Sequence, residues 1–492
     1  MDAELELLDA SLPGTLPVYP GISLAGRYVL TDQPPPLRGD GMKAISLPGS
    51  RIALMIGDVV GSGATAPTTM ARLLAILRDR LQEGADALAA LRYADRYAAS
   101  TWAARGASVA IAVISLIDGT VEYAGAGHPP PLHVGRHGAR PISLAPSRPL
   151  GTGGEGSVTR GHLAPGDFLV MHTDGLLSGD CGGLVDGRER VQRLLASFAD
   201  ASLPIRQVVE DRPDDVCQLL VNELPPAERL FDDVALLVAE RTQRPEPFVV
   251  SCPATPSVVT RIATTLEQWL ENVGAGLLDH LALRQAFTEL AMNVVKHAYT
   301  DSPAQPGELN VSARLSDDGM LQLTVQDTGR WRQATSGDGR GLIIAGGLVD
   351  SLRLDRSPHG TAVTLQQALG RSVPILQASQ APHAEPPDPG DSRRPTPMTT
   401  EMVEGCLLVS GAVLERCAQD FQNSVHDATR AGTADASIDL SDVTLLASSA
   451  IRVLFDYMAR SQASGAHLNV LVAAGSIAEQ AVQLVDLPHR SR

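Results

Sequence analysis

Residues 289–299 read ELAMNVVKHAY. Read as a helix, this stretch places Glu289, Asn293 and His297 four residues apart on one face, with Leu290, Val294 and Val295 free to pack inward. A carboxylate, a carboxamide and an imidazole on one stripe suit a metal–nucleotide and the movement of a proton. Asn can offer oxygen to Mg2+, and Glu can accept a proton. Three polar residues alone more often mark a solvated helix face; the downstream sequence decides for the functional reading. LQLTVQDTGRW alternates as a strand and ends in Asp327-Thr328-Gly329. GDGRGLIIAGGLVD sets Gly337, Gly339 and Gly341 ahead of an apolar helix, and HGTAVTLQQAL puts Gly360-Thr361 before another strand. This glycine run is neither a Walker loop nor a Rossmann turn.

Taken in order, the four elements resemble the GHKL ATPases, whose fold is the Bergerat α/β sandwich, and specifically the anti-sigma-factor serine kinases. The resemblance implies ATP with Mg2+ as cofactor, Glu289 as catalytic base, Asn293 as Mg2+ ligand and Asp327 as adenine partner. Gly329, Gly339, Gly341 and Thr361 are the further ATP-binding positions that it implies.

The chain has 492 residues, enough for about three domains. Hydrophobic residues make up 44% and aromatics only 3%, so the cores must be built from Leu, Val, Ile and Ala. A formal net charge of −16 argues against direct nucleic-acid binding. No apolar run approaches the length of a membrane span, and MDAELELLDA lacks a basic-then-apolar signal. A cytoplasmic protein without membrane contact is expected. Cys181, Cys217, Cys252, Cys406 and Cys417 show neither CxxC nor zinc spacing, which fits free thiols in a reducing compartment.

Composition divides the chain into a block from 1–240, a short linker at 241–248, the ATPase-like block at 249–370, a Pro-rich linker at 371–399 and a last block at 400–492. A flexible linker of that second length would span roughly 30 Å. In the first block, apolar runs end in aspartates beside glycines, Asp40 in RGDG, Asp58 in GDVVGSG and Asp174 in TDG, and a further strand begins at Asp232-Asp233 in FDDVALL. Each Asp-Gly alone reads as a turn. Four strand-end carboxylates together are what a two-metal hydrolytic site needs, and hard oxygen donors favour Mg2+ or Mn2+ over zinc. With GAGHPPPL around His128, the set resembles the PPM-type serine/threonine phosphatases, an αββα sandwich, in the branch typified by the stage II sporulation phosphatase. The resemblance implies Asp58 as the bridging, catalytically central ligand, the Val59 carbonyl beside it, and Asp40, Asp174 and Asp232 as the remaining metal ligands, with Asp233 outside the set. His128 reads as structural. Ser62 and Lys43 depart from the branch pattern, and a lysine near the cluster would repel cations and favour phosphate. The pattern begins near residue 10, so no separate sensory domain is expected before it.

The last block, with ASIDLSDVTLLASSAIRVLF and then HLNVLVA, resembles STAS βα domains, the anti-sigma-factor antagonists. The resemblance implies Ser449 as phosphoacceptor, although Ala447 and Ala450 stand where the family has Asp and Gly. The whole chain thus reads as a multidomain α/β protein: phosphatase, kinase and kinase substrate in one partner-switching module. Its implied partners are a sigma factor, a separate STAS antagonist and its own STAS domain, and the kinase resemblance implies a homodimer. A non-catalytic ATP-binding scaffold, or a phosphatase for another phosphoprotein with a regulatory C-terminal half, is the rival reading.

Overall fold

A computed structural model of the chain describes residues 14–32, 39–61, 63–142, 147–154, 156–177, 183–202, 212–225, 230, 232–299, 307–329, 340–357, 359–381, 396–403, 405–414 and 417–492. The first body holds two packed sheets. One has the order Gly41–Leu47, Arg51–Asp58, Ser108–Ser115, Thr120–Ala126, Ser157–His162, every neighbour antiparallel. The other runs Ile375–Gln377, Ile22–Leu30, Val234–Arg241, Phe168–His172, Leu132–Gly135, Gly138–Pro141.

The strand RIALMIGD explains the layering. It is apolar on both faces because both are covered. Ile52, Leu54 and Ile56 enter the core between the sheets with Tyr28 and Tyr123. Ala53 and Met55 face outward into a second core under the helices Thr65–Gln82 and Ala87–Ser100. The latter helix starts on Asp86, whose side chain accepts from Ala89 N at 2.7 Å. Across the molecule, Gly183–Ser202 and Arg212–Asn222 cover the second sheet through Leu195, Val216 and Leu220. Each large apolar side chain so buried contributes about 1.5–3 kcal/mol, and the four layers form an αββα sandwich.

The second body is an antiparallel sheet ordered Phe248–Pro253, Glu308–Leu315, Met320–Asp327, Gly360–Ala368, Ser351–Ser357. The helices Pro256–Val273 and Leu277–Asn293 pack on it through Leu266, Leu270, Leu283 and Phe287, and Ala345 of Arg340–Gly347 joins the same core. The third body is a sheet ordered Thr399–Val403, Cys406–Val413, Ala436–Leu446, Leu468–Val472, Arg490–Ser491, antiparallel only at its first pair. Helices Ala418–Ala428, Ser448–Ala463 and Ile477–Leu484 complete it around Phe421, Leu454 and Val482.

The stretch expected as a linker from residue 371 is partly structured. Gly370–Ser372 pairs with Thr15–Pro17. Ile375–Gln377 adds a parallel strand beside Tyr28, Val29 and Leu30. Ala378 and Ala381 then bury in the core of the first body. The physical reason is the unpaired edge of Ile22–Leu30, whose free backbone groups this segment satisfies. The first two bodies are further tied by Asp317, which meets both Ser50 and Arg244, and by Arg371, which donates to Ser23 Oγ at 3.1 Å. Among the described residues no helix is long and apolar enough to cross a membrane.

Candidate active sites

Two backbone crossings gather the four aspartates. At the first, Gly39 lies so tightly on the Asp58–Val59 turn that a Cβ there would sit 1.8 Å from the Val59 carbonyl oxygen; Val59 N donates to Gly39 O at 3.1 Å. Asp40 and Asp58 are thereby neighbours. At the second, a Cβ on Gly175 would lie 2.0 Å from the Asp233 carbonyl oxygen, so Asp174, opening the short turn Asp174–Leu176, meets the segment that carries Asp232. Thr173 joins the two halves, its Oγ1 donating to Asp40 Oδ2 at 3.0 Å while accepting from Ala235 N at 2.9 Å.

The electrostatics follow from this convergence. Asp40 is fully buried, and its carboxyl is driven well above the usual carboxylate range, first by burial and then by the charges of Asp58, Asp232, Asp233 and Asp174. Among the described residues no three His, Cys, Asp or Glu side chains close around one point as a ready-made metal cage. Like charges gathered around a buried carboxyl in this way call for cations. The donors are hard oxygens only, which fits Mg2+ or Mn2+.

Asp233 serves the scaffold. Tyr28 Oη donates to its Oδ2 at 3.0 Å and Thr31 N to its Oδ1 at 2.8 Å. His128 is likewise a strut: Ser108 Oγ and its Nδ1 are 2.9 Å apart, and its Nε2 lies 3.1 Å from the His172 carbonyl oxygen. Burial pushes its pKa down to about 3, so it stays neutral. Lys43 departs from expectation. Strand alternation turns it toward the helix Thr65–Gln82, where the charges acting on it are Arg78 and Asp79 rather than the aspartate cluster. Ser62 lies outside the described residues.

In the second body, Glu289 and Asn293 do share a face. Gly341 packs directly on them: a Cβ at that position would stand 3.0 Å from Asn293 Nδ2 and 3.1 Å from Glu289 Oε2. Gln285 Nε2 donates to Glu289 Oε1 at 2.9 Å. The α-helix stops at Asn293, and Val294–Ala298 form a π turn. That wider turn takes His297 off the stripe the four-residue spacing predicted, and His297 is exposed. Asp327 is buried at the end of its strand, directly opposite Thr361. Its Oδ1 accepts from Gly329 N at 2.9 Å. Burial raises its pKa, while backbone hydrogen bonds from Gly329 and Thr361 oppose the shift. Gly339 lies outside the described residues.

In the third body Ser449 sits in the first turn of Ser448–Ala463, 1% exposed, and its Oγ has no hydrogen-bond partner. Residue types and order pointed to the aspartates, Glu289, Asn293 and Asp327. They did not point to Thr173, Tyr28 or the glycine crossings, which depend on contacts distant in sequence.

A family model for stage II sporulation protein E (SpoIIE) matches residues 48–242, and one for the histidine kinase-like ATPase domain matches residues 252–367. Fold and sites together therefore define a SpoIIE-type, PPM-class serine/threonine phosphatase domain joined to a histidine-kinase-like ATPase domain. Among solved structures the chain is similar to the RsbU and RsbW domains of Rv1364c from Mycobacterium tuberculosis, with 30% identity and a TM-score of 0.64 over 74% of this chain and 99% of that one. The chain belongs to this family of fused RsbU–RsbW proteins. It is also similar to the PP2C phosphatase domain, with a fragment of the regulatory domain, of SpoIIE from Bacillus subtilis, at 18% identity, 45% and 64% coverage and a TM-score of 0.38. That likeness is too distant to carry function.

Proposed function

We propose that the chain is a self-contained partner-switching regulator of sigma-factor availability. Its first body is a metal-dependent phosphoserine phosphatase, its second an ATP-dependent serine kinase that also holds a sigma factor, and its third a STAS-type antagonist that both enzymes act on. The observation that carries this reading is the aspartate cluster, with Asp40 and Asp58 buried, in the same chain as an ATPase fold and a Ser449 in the first turn of a helix. Asp40, Asp58, the Val59 carbonyl, Asp174 and Asp232 would hold two Mn2+ or Mg2+ ions, which when bound activate water and neutralise phosphate charge. Asp233, Tyr28 and Thr173 hold those carboxylates in place. In hydrolysis a water oxygen bonds to phosphorus, the P–O bond to Ser449 breaks, inorganic phosphate leaves and Ser449 regains its proton.

In the reverse modification Glu289 accepts the Ser449 hydroxyl proton as Oγ bonds to the γ-phosphorus and ADP departs. Asn293 would hold Mg2+, and Asp327 with Gly329, Gly339, Gly341 and Thr361 would seat the nucleotide. A separate STAS antagonist and a sigma factor are the external partners, in the cytoplasm and without nucleic-acid or membrane contact; a homodimer is the assembly this reading favours. Intact-mass analysis of the Asp58→Ala protein with Mg-ATP tests both halves. One phosphate should appear, map to Ser449, be absent in Asp58→Ala/Ser449→Ala, and be removed by added wild-type protein with Mn2+. An unmodified Asp58→Ala protein refutes the kinase half, and a phosphate that wild-type protein cannot remove refutes the phosphatase half.

A further inference from the structure

The third body is seated on the first through one helix face. Ser449, Arg452 and Asp456 recur at i, i+3 and i+7 along Ser448–Ala463 and so lie on one side. Arg452 Nη1 donates to the Val60 carbonyl oxygen at 3.3 Å, two residues beyond Asp58. Its guanidinium lies 5.6 Å from the centre of the Trp102 ring. Its stem runs over the Gly106 backbone so closely that a Cβ there would stand 2.9 Å from Arg452 Cγ. One turn on, Asp456 Oδ1 is 3.2 Å from Arg105 Nε, with the aspartate side chain only 6% exposed. These atoms form an ion pair without hydrogen-bond alignment. At the edge, Arg148 Nε donates to Asp486 O at 3.1 Å and its guanidinium stands 5.9 Å from the Phe455 ring centre. Arg105 and Arg148 on one body thus meet Asp456 and Asp486 on the other. Ser449, one turn before Arg452, is buried on this side with its hydroxyl unpartnered, an arrangement that costs about 1–3 kcal/mol unless another group completes it.

We propose that the surface formed by Val60, Trp102, Arg105, Gly106 and Arg148 is the substrate-recognition face of the phosphatase domain. Its occupant is the chain's own third body, with the Asp456–Arg105 pair as the specificity contact and Arg452 setting Ser449 at the rim of the aspartate cluster. Arg105 and Asp456 are positioning residues; they fix where Ser449 lies and take no part in bond breaking. The proposal rests on reading the first body as a phosphatase and Ser449 as its substrate serine. It explains how a serine flanked by Ala447 and Ala450 is selected: the recognised pattern lies downstream, at Arg452 and Asp456.

The test uses the full chain with phosphoserine placed genetically at position 449, so that kinase activity is not required. Phosphate release is followed in single-turnover reactions with Mn2+, and p-nitrophenyl phosphate hydrolysis is measured in parallel. Asp456→Arg and Arg105→Asp should each slow release from residue 449 at least about tenfold, as expected when one member of a buried interfacial pair is lost, while p-nitrophenyl phosphate turnover stays at the wild-type level. The double variant, with the charges exchanged, should recover most of the rate, which no merely structural defect would allow. Wild-type release rates in both single variants, or a double variant as slow as the singles, overturn the recognition face. Absence of p-nitrophenyl phosphate hydrolysis in every protein, wild type included, overturns the phosphatase reading beneath it.

Discussion

Gly39→Ala is the sharpest probe of how the phosphatase site is built. The substitution leaves every proposed ligand in place, yet its Cβ would fall 1.8 Å from the Val59 carbonyl oxygen and 2.7 Å from Val59 N. The obstacle is backbone on both sides, so no rotamer change relieves it. Restoring even a 3.0 Å contact needs a shift of about 1.2 Å between the strand entering at Asp40 and the turn leaving Asp58. Overpacking of this kind costs typically about 1–3 kcal/mol, which a body with three apolar cores can absorb. Displacing a reacting constellation by about 1 Å costs on the order of a hundredfold in rate. Gly39→Ala should therefore remain folded, with a melting temperature lowered by a few degrees, and lose about a hundredfold in p-nitrophenyl phosphate hydrolysis. Gly161→Ala is the control: a Cβ there meets nothing within 4 Å, and activity should not change. Wild-type turnover and wild-type Mn2+ dependence in Gly39→Ala would show that this crossing does not set the distance between Asp40 and Asp58.

Two further outcomes are expected. Asn293→Ala should weaken Mg-ATP binding at least about tenfold by titration calorimetry while leaving p-nitrophenyl phosphate hydrolysis intact; unchanged affinity would remove Asn293 from the nucleotide site. Glu240 lies against Arg212 at 2.6 Å, and burial pushes its carboxyl up to about 7 from an ordinary value of 4.5, with Arg212 opposing the shift. The folded chain therefore holds a proton that the unfolded chain releases, and stability falls as pH rises from about 4.5 to 7. Glu240→Gln should raise the melting temperature by about 2–6 °C at pH 8 and by much less at pH 5. An equal shift at both pH values would mean that the Glu240 carboxyl is not raised on folding, and a loss at pH 8 that the Arg212 pair outweighs the burial cost.

The residues that the fold brings together at the two candidate sites were legible because their types are demanding: carboxylates at strand ends and a carboxamide one turn after a carboxylate have few alternative uses in combination. The local backbone was less so. ELAMNVVKHAY carries an α-helical period throughout, but the chain widens into a π turn after Asn293, and nothing in the residue pattern marks that change. Asp174-Gly175 suggested a turn, whereas Gly175, like Gly39, lies against the backbone of a residue next to a sequence-distant strand. RSVPILQASQA read as linker because it runs straight into the Pro-rich APHAEPPDPGDSRRPTP; an open sheet edge more than 300 residues earlier in the chain gives its apolar residues their partner. Contacts of that range leave no local signature, and the seat of the third body on Arg105 is of the same kind.

The added strand Ile375–Gln377 also has a bearing on synthesis. It is the outermost member of the sheet whose other strands all precede residue 242, so in folding terms the ATPase body is an insertion within the phosphatase. A ribosome needs on the order of ten seconds to add the intervening residues. Throughout that interval the Ile22–Leu30 edge is open, with Val29 and the pocket later filled by Ala378 and Ala381 uncovered. The chain thus closes its first domain only after the ATPase body has been made. A truncation at residue 242, the obvious way to isolate the phosphatase, would fix that unfinished edge permanently and leave it free to pair with the same edge of a second copy.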